Sequence, residues 1–168
     1  SKLTFEYHHL QEFRRGGDLL NRPPHEANIA EQLRHSINSG GLKFDYFSPD
    51  EKHRLSVYAS AQHIGRDSYY GGNQDLNAYG ATKDFTWVAG SQYIYHFDRC
   101  LFMPSDLTGG VEYNQDNLKD DMWGYNRYTN QKVRIAGAFF QNEWRNRQWS
   151  ILLGGRLDKH NLINHVIF

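Results

Sequence analysis

Polar and apolar residues alternate along most of this chain with a period of two. Leu3, Phe5 and Tyr7 stand against Thr4, Glu6 and His8, and Leu42, Phe44 and Tyr46 against Lys43 and Asp45. Leu55, Val57, Ala59 and Ala61 continue the pattern. Trp87, Ala89, Ser91, Tyr93, Tyr95 and Phe97 alternate with Thr86, Gly90, Gln92 and His96. Val133, Ile135, Gly137 and Phe139 follow, then Trp149, Ile151, Leu153, Gly155 and Leu157 against Ser150, Gly154, Arg156 and Asp158. Successive side chains of a strand point to opposite faces, so this period predicts strands with one apolar face. Seven are expected, at 3–14, 40–48, 54–64, 85–97, 106–115, 132–144 and 149–158. None is apolar on both faces for long, which argues against a buried parallel sheet. One helix is expected over 25–34, opened by Pro23-Pro24 and carrying Ala27, Ile29, Ala30 and Leu33 at weak helical spacing.

The expected connections alternate in length. Links 15–39, 65–84 and 116–131 are long and rich in Gly, Asn and Tyr, whereas 49–53, 98–105 and 145–148 are short and charged or proline-containing. A soluble sandwich spaces its strands evenly at ~8–12 residues. Long loops on one side and tight turns on the other belong to an outer-membrane barrel, with the long loops outward and the short turns periplasmic. The fold class read here is therefore all-β: an antiparallel meander forming part of a transmembrane β-barrel. Aromatic residues gather beside the short turns: Tyr46 and Phe47, then Tyr93, Tyr95 and Phe97, then Trp144 and Trp149. That fits an interfacial girdle; cross-strand aromatic pairing in a soluble sheet gives the same clustering.

Composition narrows the classes. The 168 residues suffice for one domain, with 11 Tyr, 10 Phe and 4 Trp. Nineteen basic and 19 acidic residues balance, so there is no basic field and nucleic acid is not an expected partner. A mean hydropathy of −0.78 and the lack of any long apolar run exclude a transmembrane helix but not a barrel, whose lumen and loops are polar. The single cysteine, Cys100, allows no internal disulfide and reads as incidental. No signal peptide is apparent, and both ends read as cut from something longer.

Chemical motifs are sparse. His8 and His9 are adjacent and would point to opposite faces, and His25, His53, His63, His96, His160 and His165 are scattered without zinc spacing. Asp116, Asn117, Asp120 and Asp121 would crowd one outer loop, but the EF-hand glycine and closing glutamate are lacking. Glu6 and Glu12 would share a face of the first strand, where lumen-facing charge is the simpler reading of a carboxylate pair. No Gly-x-Ser-x-Gly elbow occurs. Catalytic residues, metal ligands and cofactors are not expected. Binding residues are expected in two long loops, where tyrosine, asparagine and glycine combine rigid contact area with adaptable hydrogen bonding. The candidates are Arg66, Asp67, Tyr69, Tyr70, Asn73 and Tyr79 in the first, and Trp123, Tyr125 and Tyr128 in the second.

Two segments carry a family resemblance. The run His8-His9-Leu10-Gln11-Glu12-Phe13-Arg14-Arg15-Gly16-Gly17-Asp18 resembles a barrel strand and first loop of TonB-dependent outer-membrane receptors. Leu153-Gly154-Gly155-Arg156-Leu157-Asp158-Lys159-His160-Asn161 resembles the Gly-x-Arg-x-Asp strand of the same family, in the style of its Bacteroides group. The resemblance implies a glycine that lets neighbours approach, and an arginine and an aspartate aimed at the polar lumen. It implies a barrel of about 22 strands with an N-terminal plug, of which this chain would be roughly a third of the wall. It implies residence in the outer membrane among its lipids, a small nutrient ligand (siderophore, haem, cobalamin or glycan, with a cobalamin or siderophore preferred over a glycan), and coupling to the TonB energy complex through a plug this chain lacks. Such a fragment would expose two sheet edges, inviting edge-to-edge self-association. Two alternatives are a complete eight-stranded outer-membrane lipid-modifying enzyme, with 160–168 as its last strand, and a soluble all-β carbohydrate-binding module.

Overall fold

The computed structural model describes residues 1–167. Seven strands form one sheet in chain order: β1 (Lys2–Gly17), β2 (Ile29–Phe47), β3 (His53–Gly72), β4 (Tyr79–Cys100), β5 (Met103–Met122), β6 (Arg127–Arg145) and β7 (Ser150–Ile167). Every neighbouring pair is antiparallel, so the all-β meander expected from the sequence is the fold. β1 and β7 are the two edges and do not pair with each other, so the sheet is open.

The strands are longer than the hydrophobic alternation indicated. Links expected at 15–39, 65–84 and 116–131 shrink to 18–28, 73–78 and 123–126. The expected turn 98–105 is a tight reversal at 101–102, with Leu101 at φ 63°. The helix expected over 25–34 is only a 3₁₀ turn, Pro24–Glu26; extended backbone resumes at Ile29. Residues 159–167 supply no eighth strand, because they continue β7. Alternating strand direction still places 18–28, 73–78 and 123–126 at one end of the sheet, and 48–52, 101–102 and 146–149 at the other. The last of these is closed by the Asn146 side-chain oxygen, which accepts from the Gln148 and Trp149 amides at 2.8 Å each.

Register sorts the side chains onto two unlike faces. One level of one face reads Leu3, Phe44, Val57, Ser91, Val111, Ala138, Leu157 across the seven strands. The levels on either side add Phe5, Leu42, Ala59, Ala89, Tyr113 and Ala136, and Tyr46, Leu55, Tyr93 and Phe140. This apolar band, interrupted by Ser91, Ser105 and Asn142, lies in the half of the strands beside the short turns, while Phe13 on β1 and Ile163 and Ile167 on β7 stand on the same face outside it. Tyr46, Tyr95 and Trp144 lie along its short-turn edge, and Tyr7, Trp87 and Tyr113 along its other edge. The Trp87 and Tyr113 rings meet at 5.0 Å. Beyond that edge the same face turns polar: His9 on β1, His63 on β3, Lys83 on β4, Arg134 on β6 and Lys159 on β7. The opposite face mixes carboxylates, amides and arginines with an aliphatic stripe of Leu10, Ile37 and Ile64.

The sheet has almost no interior. Among the described residues the buried hydrophobic side chains are Ala27, Ala30, Tyr69 and Ala78, all at the long-link end. Band residues Phe5, Val111, Phe140 and Leu157 are 74, 56, 57 and 79% exposed. The accessible surface is 11576 Å² for a chain of 19.7 kDa. A compact monomer of that mass exposes about 8,600 Å².

Candidate functional site

The three links at the long-link end pack side by side into a rim. Asp18 anchors the first: its carboxylate accepts from Asn28 Nδ2 at 2.8 Å and from the Ile29 amide at 3.1 Å. The bond from the Ile29 amide, then that from Asn28, holds the Asp18 carboxyl below its ordinary value. The second link docks on the first through its backbone, with Asn73 N donating to Asn28 O at 2.7 Å and Gln74 N to Ala27 O at 3.2 Å. The third lies against the second. A Cβ on Gly124 would stand 2.7 Å from Asn77 O, so the close approach requires glycine there.

Period-two geometry divides the expected binding residues. Arg66 and Tyr70 project from the mixed polar face, whereas Asp67, Tyr69, Tyr79 and Tyr128 project from the face that carries the band. Tyr69 is fully buried: it packs on Tyr79 at a ring separation of 4.9 Å and donates to Asp75 O at 2.9 Å. Its place is the small core under the rim. Tyr79 is tied to His25 Nδ1 at 2.7 Å. Asn73, Trp123 and Tyr125 are exposed on the links. The structure brings Tyr70 and Tyr125 together, the Tyr125 hydroxyl lying 3.5 Å from Tyr70 O.

Below the rim, on the mixed face, Arg66 belongs to a cluster that hydrophobic periodicity does not signal. Arg66 Nη2 donates to Thr82 Oγ1 at 2.8 Å, and the Thr82 hydroxyl donates to Asp120 Oδ1 at 2.6 Å. Arg127 Nη2 donates to the other Asp120 oxygen at 2.8 Å. Burial pushes the Asp120 carboxyl up, but the Thr82 and Arg127 hydrogen bonds and both arginine charges outweigh it and hold the group below the ordinary carboxylate value. The acidic loop expected at 116–121 does not exist. These residues lie in β5, with Asp116 and Asp120 on one face and Asn117 and Asp121 on the other. Alternation therefore prevents them from converging on one cation.

A second cluster sits on the same face at the height of the band. The Tyr58 hydroxyl donates to Glu112 Oε2 at 2.6 Å, passing over Gly90, where a Cβ would meet it at 2.6 Å. Arg156 donates from Nη2 to Glu112 at 3.3 Å and from Nε to Asp158 at 2.9 Å. Gly137 makes room for Arg156 and Asp158, while a Cβ on Gly155 would meet nothing. The sequence resemblance gave the spacing role to a glycine of β7, and Gly154 fills it: a Cβ there would stand 2.7 Å from Gln141 Cβ and 2.9 Å from Phe140 O, while Gly137 across the ladder on β6 adds room for the arginine and aspartate.

No protein-family model matches the chain, and no curated protein matches it. The functional reading therefore rests on the residues and their arrangement.

Proposed function

We propose that this chain is a stretch of the barrel wall of a TonB-dependent outer-membrane receptor that takes up a scarce nutrient. The observation that carries the reading is the band: contiguous on one face, edged by aromatic rings on both sides, and concentrated in one half of the strands. Lipid-facing surfaces of outer-membrane barrels have this form, about 25 Å tall between aromatic girdles. On β4 the band runs from Phe85 to Phe97. At ~3.3 Å per residue and a tilt of ~45°, those twelve steps span about 28 Å of membrane normal. Strands of 16 to 22 residues far exceed the ~9–11 needed to cross, so their polar halves stand in water beyond the lipid. The mixed face then lines the lumen, with the Tyr58–Glu112–Arg156 and Arg66–Asp120–Arg127 clusters along the path. The resemblances at 8–18 and 153–161 supply the choice of family and nothing in the geometry opposes it.

The surface excess of roughly 3,000 Å² weighs against a self-contained soluble carbohydrate-binding module, which would cover its apolar face with a second layer. An eight-stranded enzyme would need a strand that β7 has absorbed.

Uptake by the full-length protein in its own cells tests the reading. Labelled siderophore, haem, cobalamin and glycan are offered to cells with and without the gene, and with a proton uncoupler. One substrate is expected to depend on the gene and to stop entering when the uncoupler is added. Trp123→Ala with Tyr125→Ala is expected to raise the half-saturating concentration of that substrate severalfold, since a base or sugar ring stacked on an aromatic contributes about 1–3 kcal/mol. Uptake of all four at equal rates without the gene would remove the proposal.

A further inference from the structure

Charge is not spread evenly over this neutral chain. On the band-bearing face, past the band's outer edge, stand Lys83, Lys119, Lys132, Arg134 and Lys159 on the four consecutive strands β4 to β7. The carboxylate on that part of the face is Asp121, beyond Lys119 toward the rim. None of the five cations forms an ion pair among the described residues. Lys83 and Lys119 are direct cross-strand partners, an arrangement that costs stability unless an anion lies between them. Arg134 Nε is buried without a hydrogen-bond partner among the described residues.

Their heights follow the band. Lys83 registers with Lys119; Arg134 stands nearer the short turns, and Lys159, the partner of Ala136, nearer still. The edge of the contiguous apolar run falls in the same sense, from Phe85 on β4 to Leu157 on β7, with Ile163 and Ile167 standing apart beyond Lys159. A membrane surface crossing tilted strands produces such a descent in both series. The cations therefore lie along one line where acyl chains end and head groups begin.

We propose that these residues bind the head group of a lipid carrying two or more phosphates in the outer leaflet, its acyl chains lying on the apolar band below. A single phosphodiester would leave most of the five cations unneutralised, which is why a polyanionic head group is favoured over phosphatidylglycerol. The proposal rests on the barrel reading above and adds a site to it.

The test uses the full-length protein reconstituted in phosphatidylcholine vesicles containing a tenth of bis-phosphorylated glycolipid, dephosphorylated glycolipid or phosphatidylglycerol. Lipid retained after detergent extraction is counted by native mass spectrometry. Bis-phosphorylated lipid is expected to be retained preferentially, and the variant Lys83→Gln/Lys119→Gln/Arg134→Gln/Lys159→Gln to retain at least about tenfold less. Lys43→Gln/Arg54→Gln, on the other face, is expected to retain it normally. Equal retention of the three lipids, or full retention by the quadruple variant, overturns the site. Quenching of tryptophan fluorescence by lipid-borne nitroxide separates the two failures. If quenching persists while phosphate selectivity is absent, the site alone is wrong; if quenching is absent too, the barrel reading falls with it.

Discussion

The Tyr58 hydroxyl reaches Glu112 at 2.6 Å by lying across Gly90, and so joins β3 to β5 over the intervening strand. Glu112 passes the connection to Arg156 at 3.3 Å on β7. Three strands, β3, β5 and β7, of a sheet with almost no interior are thereby cross-braced on the mixed face. Burial of apolar surface, which holds most folds together, contributes little within this chain, so ladder hydrogen bonds and such braces carry more of its rigidity.

Gly90→Val is expected to break the brace. The new side chain would occupy the space of the Tyr58 ring and crowd Val111 O, which lies 2.9 Å from the position of a Cβ. Overpacking of this kind costs about 1–3 kcal/mol. Thermal unfolding of the full-length protein in detergent is expected to fall by several degrees. An unchanged midpoint would show that Tyr58 moves aside freely.

Asp120→Asn is expected to loosen the rim. The substitution leaves Arg66 and Arg127 facing a neutral amide, a loss of about 1–3 kcal/mol for a hydrogen-bonded charge. Amide exchange at Tyr128 and Thr129 is expected to accelerate. The wild type has a matching pH dependence. The folded-state pKa of Asp120 is depressed, so its contribution is complete above the ordinary carboxylate value of ~3.9 and is lost as pH falls through the lower folded value. Protection at these amides should therefore weaken on acidification in the wild type and stay flat across that window in the variant. Parallel pH curves would refute the assignment.

Arginine scanning is expected to distinguish the faces. Val111→Arg places a charge in the middle of the band and should cost about 2–4 kcal/mol of folding in a bilayer. Gln92→Arg, on the opposite face one register position from the level of Val111, should cost little. Equal penalties would mean that both faces meet the same solvent.

The isolated 168-residue chain is expected to associate through its edges. β1 and β7 present unpaired N–H and C=O groups, β7 is exposed almost throughout, and it holds no proline to block pairing. Light scattering in detergent-free buffer should report oligomers or aggregates. A stable monodisperse monomer would contradict the open-edge account.

Strand number, order and the band-bearing face of β4 were legible because alternation of apolar with polar residues is a tertiary signal written locally. Strand ends were not. Past Lys83 or Arg134 both faces carry mostly polar residues, so the alternation stops, yet the backbone ladder continues because its hydrogen bonds need no apolar partner. The same blindness made Asp116–Asp121 look like a loop and hid Asp120 from Arg66. The helix expected over 25–34 failed because Ala27 and Ala30 face the same buried Tyr69 through a 3₁₀ turn and a strand start instead of one helical face. Tyr69 itself could not be told from its neighbour Tyr70 by composition. Only the register, which sends one under the rim and the other to the mixed face, separates them.

The central claim is that the band faces lipid, and paired cysteine labelling tests it most directly. On a Cys100→Ser background of the full-length protein, Val111→Cys and Lys119→Cys are exposed in intact outer membranes to a charged, membrane-impermeant maleimide. The two positions share a face and a strand, one inside the band and one beyond it. Both side chains are exposed in this open sheet, at 56% for Val111, so burial within the chain does not protect either. The account predicts rapid labelling at 119 and protection at 111 that detergent removes. Equal labelling of both positions in the intact membrane would contradict it.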